Sequence, residues 1–101
     1  MGKYFCDQYS YLHFASGILS YFWNISFQNW IILQILFELF ENTTICMKII
    51  NNNISFWPGG KVYIDSLINQ FGDIFFGTMG WLTAYYLDKL GKQYNWYPDH
   101  L

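Results

Sequence analysis

Charge is what this chain has least of. Asp, Glu, Lys and Arg make up 12% of its 101 residues, against about 25% in an average soluble protein. The five basic residues are scattered and the net charge is −2, so no basic patch exists to neutralise phosphates. Nucleic-acid binding of that kind is excluded. Cysteine is also scarce. Cys6 and Cys46 lack metal-site spacing, and beside helical segments a free thiol behaves as a small apolar side chain. Gly59-Gly60 lacks the Lys-Ser/Thr that completes a phosphate-cradling loop. There is no G-x-S-x-G elbow, and no base stands beside Ser20 or Ser66. Signal-peptide patterning is missing too, because Lys3 is followed by aromatic residues and Asp7, so the first apolar segment is expected to stay in the mature protein. Repeats and low-complexity tracts are absent apart from Asn51-Asn52-Asn53.

What is present in excess is apolar and aromatic: 53% hydrophobic residues, 24% of the chain being Phe, Trp or Tyr. This is a membrane composition in a chain long enough for one domain, residues 1–101. The mean hydropathy of +0.12 is modest because Asn, Gln and Tyr dilute it, so the assignment rests on where the apolar runs fall. The richness in Asn, Ile, Tyr, Phe and Lys suits an AT-rich genome, as in large DNA viruses, protists or low-GC bacteria.

Crossing a ~30 Å hydrocarbon core takes about 20 residues of helix. Three segments qualify, giving an expected all-α integral membrane bundle of about three transmembrane helices, near 9–27, 30–50 and 64–90. The break around Asn24 to Asn29 suits a tight turn between antiparallel helices. The connection from Asn51 to Val62 carries Trp57-Pro58-Gly59-Gly60, a turn signal. Tyr4, Tyr9, Trp57, Tyr63, Tyr94, Trp96 and Tyr97 flank the segments, as headgroup-seeking rings do. Lys3, Lys48 and Lys61 on one side against Lys89 and Lys92 on the other slightly favour a cytoplasmic N-terminus. Three Asn-x-Ser/Thr acceptor patterns, at Asn24, Asn42 and Asn53, are attributed to chance in an Asn-rich chain, and His100 to a solvated tail.

Each segment has one polar or small face. Asp65, Asn69 and Asp73 recur at steps of four on the third, beside Gly72, Gly77, Gly80 and Ala84. The second offers Gln34, Glu38, Glu41 and Asn42; the first offers His13, Gly17, Ser20 and Asn24. A carboxylate at mid-membrane costs about 2.5 to 3.5 kcal/mol, so these faces are expected to turn toward one another. The glycines read as packing residues. Asp65 has two readings, one in the cluster and one as a helix N-terminal charge among the headgroups.

Glu38, Glu41 and Asp73 must be protonated, paired or bound to a cation, with His13 and a few lysines as the available partners. His13, Glu38, Glu41 and Asp73 are therefore the catalytic candidates. Glu38, Glu41, Asp65 and Asp73 are the metal candidates, with Asn42 and Asn69 completing a polar cluster. So oxygen-rich a set suits Mg²⁺, Ca²⁺ or Mn²⁺. Carboxylates sharing protons in a structural hydrogen-bond network are the alternative.

The pattern His13-x-x-x-Gly17, Glu38-x-x-Glu41-Asn42-Thr43, Tyr63-x-Asp65-Ser66-x-x-Asn69-x-x-x-Asp73 and Gly80 resembles a family of small bacterial inner-membrane proteins of unknown function, loosely related to VanZ-like proteins. The likeness runs from about His13 to Leu87. The chain is shorter than that family leads one to expect, lacks an additional helix, and has Gln34 where another acid would stand. The resemblance implies a polytopic membrane protein with converging polar residues, and no particular reaction.

These readings lead to a multi-pass protein whose expected partners are the bilayer and either copies of itself or another membrane protein. A structural or assembly role in a cellular or viral membrane is the first expectation. A metal-dependent hydrolase or transferase acting on a lipid-linked substrate is the second, and proton or ion translocation by an oligomer the third.

Overall fold

Asn42 and Thr43 end the second apolar run halfway along. The Asn42 side chain donates to the Glu38 carbonyl (2.8 Å), and the Thr43 hydroxyl donates to the Phe40 carbonyl (2.8 Å) while accepting from the Cys46 N–H (3.2 Å). Side chains thus take over bonds the helix would otherwise make, closing one helix and capping the next. In the computed structural model, which describes residues 3–58, 60–61 and 63–96, the outcome is four helices. They are α1 (Ser10–Phe22), α2 (Phe27–Glu41), α3 (Thr44–Asn53) and α4 (Leu67–Gln93). Gly59, Val62, Tyr97 and His100 lie outside the described residues.

The all-α expectation holds, since no strand occurs among the described residues. The expected count and bounds do not. The segment placed at 30–50 is two helices bent by 81°: the caps at Asn42 and Thr43 divide it, although its apolar periodicity continues through Ile45 and Ile49. The first helix ends at Phe22 rather than near 27: Trp23 and Asn24 close it, with Asn24 in the left-handed region (φ 64°) that Asn tolerates. The third expected helix starts at Leu67, where the Ser66 hydroxyl accepts from the Asn69 N–H (3.2 Å), and runs on to Gln93.

These lengths bear on the membrane. At 1.5 Å per residue, α1 and α2 span about 20 and 22 Å, short of a ~30 Å hydrocarbon core. With 27 residues α4 has the length, but its Asp, Asn, Gln, Gly and Tyr residues dilute its hydropathy. Among the described residues no single helix is long and apolar enough to cross a membrane; only the bent pair α2 and α3 is so when taken together.

The main contact is α1 against α4. Glycines set it, because a Cβ at Gly17 would run into the Gly77 carbonyl and one at Gly80 into the Phe14 carbonyl. The packing role expected of Gly17 and Gly80 is the one observed. α2 joins through Trp30, whose indole donates to the Gly77 carbonyl (3.0 Å), and through Gln34, which donates to the Thr78 hydroxyl (3.1 Å).

Burial is inverted relative to a water-soluble domain. Among the described residues the buried apolar side chains are Ile50 and Ala84, whereas Gln34, Glu38, Glu41, Lys61, Asn69, Asp73 and Asp88 are all buried. Large apolar residues such as Leu39, Phe40, Leu67 and Phe71 stand outside.

Candidate functional site

The polar faces converge where α1, α2 and α4 meet the connection from α3 to α4. From α1, one turn before the Gly17 contact, His13 presents Nε2 at 3.3 Å from Asp73 Oδ2 on α4. Glu38 on α2 approaches the same pair, and ligating atoms of His13, Glu38 and Asp73 all lie within 4.8 Å of one another. Glu38, Glu41 and Asp65 form a second set with the same spacing. Glu38 belongs to both.

Asp65 reaches the cluster by a route the helical spacing did not give. It precedes α4, and its backbone N–H donates to the Asn42 side chain (2.9 Å). Its carboxylate pairs with the Lys61 ammonium at 2.7 Å. Asp65 stands directly before the Ser66 cap, at the N-terminal end of α4 where one reading put it, and it also belongs to the cluster as the other had it. Asn69 lines the same groove, and its amide donates to the Tyr4 carbonyl (2.7 Å) and the Asp7 carboxylate (3.3 Å), tying the N-terminal segment to α4. Asn24 lies in the turn after α1, away from the helical face on which it was counted.

Lys61 is the functional residue that sequence reasoning missed. Counted as a loop charge that orients the protein, it is 5% exposed and reaches Glu41 Oε1 (3.7 Å) as well as Asp65. The Asn51 side chain holds the Lys61 backbone at both its N–H and its carbonyl. Its spacing of four from Asp65 was the available signal. A further polar knot, also missed, lies toward the other end of α4, where Asp88 accepts from the Tyr21 hydroxyl and pairs with Lys92 (3.3 Å).

Acids outnumber cations here. Glu38, Glu41, Asp65 and Asp73 face Lys61 and, when protonated, His13. Among the described residues neither oxygen of Glu38 accepts a hydrogen bond, and Oε2 of Glu41 has no donor either. Glu38's neighbour is another carboxylate, Asp73, and two such groups share a bond only when one carries a proton. Unsatisfied buried acids of this kind are costly unless a proton or a cation joins them.

The cluster is not sealed. It floors a groove of about 1010 Å³, whose walls include Leu12, Leu33, Leu36, Phe37 and Trp57, with Trp57 stacked on Phe37 at 6.2 Å. Apolar walls with a few convergent polar groups, at the upper end of ligand-site size, are the usual form of a binding cleft. His13 held by a carboxylate can serve as a general base, and the same atoms can hold a metal ion.

No protein-family model, curated protein or solved structure matches this chain.

Proposed function

We propose that this chain is a multi-pass helical membrane protein whose groove binds a lipid-like amphiphile, with the polar end of that molecule against His13, Glu38, Glu41, Lys61, Asp65 and Asp73. One observation carries the reading: the buried ionisable cluster opens into a groove with apolar walls, on a molecule whose outer surface is itself apolar. A cluster serving only to lock helices together needs no open cavity beside it. In bilayer, the exposed Leu, Ile and Phe side chains lose no favourable solvation and the acids stay away from lipid. Because acids outnumber cations in the floor, an occupant that brings positive charge, on its head group or as a metal ion, would suit it.

A structural or assembly role is the second reading. It is favoured by the hydrogen bonds of Asn42, which tie α2 to the segment before α4. The two differ at Asp73→Asn, which folds and assembles normally under both but loses amphiphile binding only under the first. The first test uses native membranes containing a phospholipid with a photoreactive group on its acyl chain. Cross-links on peptides holding Leu33, Phe37 and Trp57 support the groove reading. Labelling confined to outward residues such as Phe71, or release of the protein by an alkaline carbonate wash, overturns it.

A further inference from the structure

Glu38 is the acid to which the described residues offer no donor. It is 3% exposed, neither of its carboxylate oxygens receives a hydrogen bond among the described residues, and it belongs to both sets of ligating atoms. The sets differ in what already serves them. Glu41 and Asp65 have the Lys61 ammonium at 3.7 and 2.7 Å, so a metal ion there would have to displace or repel a buried charge. His13 and Asp73 have no lysine beside them in any ion pair among the described residues; they stand 3.3 Å from each other, with Glu38 next to them.

We propose that His13, Glu38 and Asp73 bind a divalent transition-metal ion, Mn²⁺ or Zn²⁺, at the floor of the groove; the proposal rests on the reading of that groove as a binding site. The donor set decides the class of ion. One imidazole nitrogen with two carboxylate oxygens suits a borderline cation, whereas Mg²⁺ and Ca²⁺ take oxygen-only shells. Mn²⁺ is thus the member of the oxygen-loving group that the histidine retains, and Zn²⁺ is added to it.

The geometry agrees. Ligands about 2.0 to 2.2 Å from a shared metal stand roughly 3 Å apart when they occupy neighbouring positions, near the 3.3 Å between His13 Nε2 and Asp73 Oδ2. Three protein ligands leave coordination positions free, and all three residues line the groove, so water or an oxygen of the amphiphile's head group would complete the shell. The ion would supply the positive charge that the excess of acids calls for. Bound there it would act as a Lewis acid toward a head-group oxygen.

The experiment uses the full chain in lipid nanodiscs, titrated with Mn²⁺ alone and Zn²⁺ alone. The expected result is a rise in melting temperature with one or both ions, and for Mn²⁺ a pulsed-EPR coupling to a nitrogen-14 nucleus. His13→Asn should abolish that coupling, and Glu38→Gln and Asp73→Asn should abolish the thermal shift, while Glu41→Gln retains it. Absence of any shift with both ions on the wild-type chain overturns the proposal. So does a Mn²⁺ signal without nitrogen coupling, or a shift that survives in Glu38→Gln. The EPR measurement needs only the wild-type chain, so a variant that fails to fold leaves the proposal testable. Lipid cross-linking that fails while the ion still binds removes the amphiphile alone, and the opposite outcome removes the ion alone.

Discussion

The Lys61 ammonium lies 2.7 Å from Asp65 Oδ2, and both side chains are withdrawn from the surface. The lysine comes from the connection and the aspartate from just before α4, so this ion pair brings a stretch without helical structure into the cluster. Breaking a buried pair from one side leaves the other charge uncompensated, at a cost of about 3 to 5 kcal/mol. Lys61→Met is expected to lose that much, measured by unfolding in mixed micelles. Adding Asp65→Asn should return part of the loss. A double-substitution loss equal to the sum of the two single losses would show that the pair contributes nothing of its own.

Gly80 is the second place where one atom matters. Its missing Cβ is what lets the Phe14 carbonyl approach α4, so Gly80→Ala must push α1 away or bend it. Overpacking of this sort costs about 1 to 3 kcal/mol. Thermal melting in detergent should fall accordingly, and an unchanged melting temperature would mean that the seam yields more easily than its backbone contacts suggest.

At the far end of α4, Tyr21→Phe removes a hydroxyl that donates to buried Asp88. A hydrogen bond to a charged acceptor is worth about 1.5 to 3 kcal/mol, and Lys92 at 3.3 Å remains to offset part of the loss. An expected loss of about 1.5 kcal/mol follows, smaller than that of Lys61→Met. A larger loss for Tyr21→Phe would reverse the ranking of the two polar knots.

Ser66 has two tasks. It caps α4 through the Asn69 N–H and donates to the Lys3 carbonyl at 2.8 Å. Ser66→Ala should cost about 1 kcal/mol, and Ser66→Thr should restore it. Amide exchange should quicken in the first turn of α4 and leave α2 untouched. Protection that is lost evenly along the chain would argue against a local cap.

How much of this was legible beforehand differs from residue to residue. His13, Glu38 and Asp73 could be brought together because each sits on a helix whose other faces are apolar, and burying polar groups against each other leaves few arrangements. Glu41 followed from its spacing to Glu38. Asp65 entered the cluster for a reason that helical periodicity does not contain, since it is placed by hydrogen bonds to Asn42 and an ion pair to Lys61. Asn42 itself looked like one more residue on a polar face. Its side chain also ends a helix, and periodicity registers apolar faces, not the local bonds that terminate them. Lys61 was misplaced because a lysine near a Pro-Gly-Gly turn looks like a solvated charge, and only the folded connection turns it inward.

The glycine seam also settles which parts of the molecule can move. Helices whose backbones touch at Gly17, Gly77 and Gly80 interlock and have little freedom to slide, so α1 and α4 act as one rigid post. α2 is held to that post by longer side chains, Trp30 and Gln34 among them. Were the groove to widen for the proposed occupant, α2 with its bent continuation α3 would be the part to swing. That swing would carry Glu38 away from His13 and Asp73, so that opening the door and dismantling the acid cluster would be one motion.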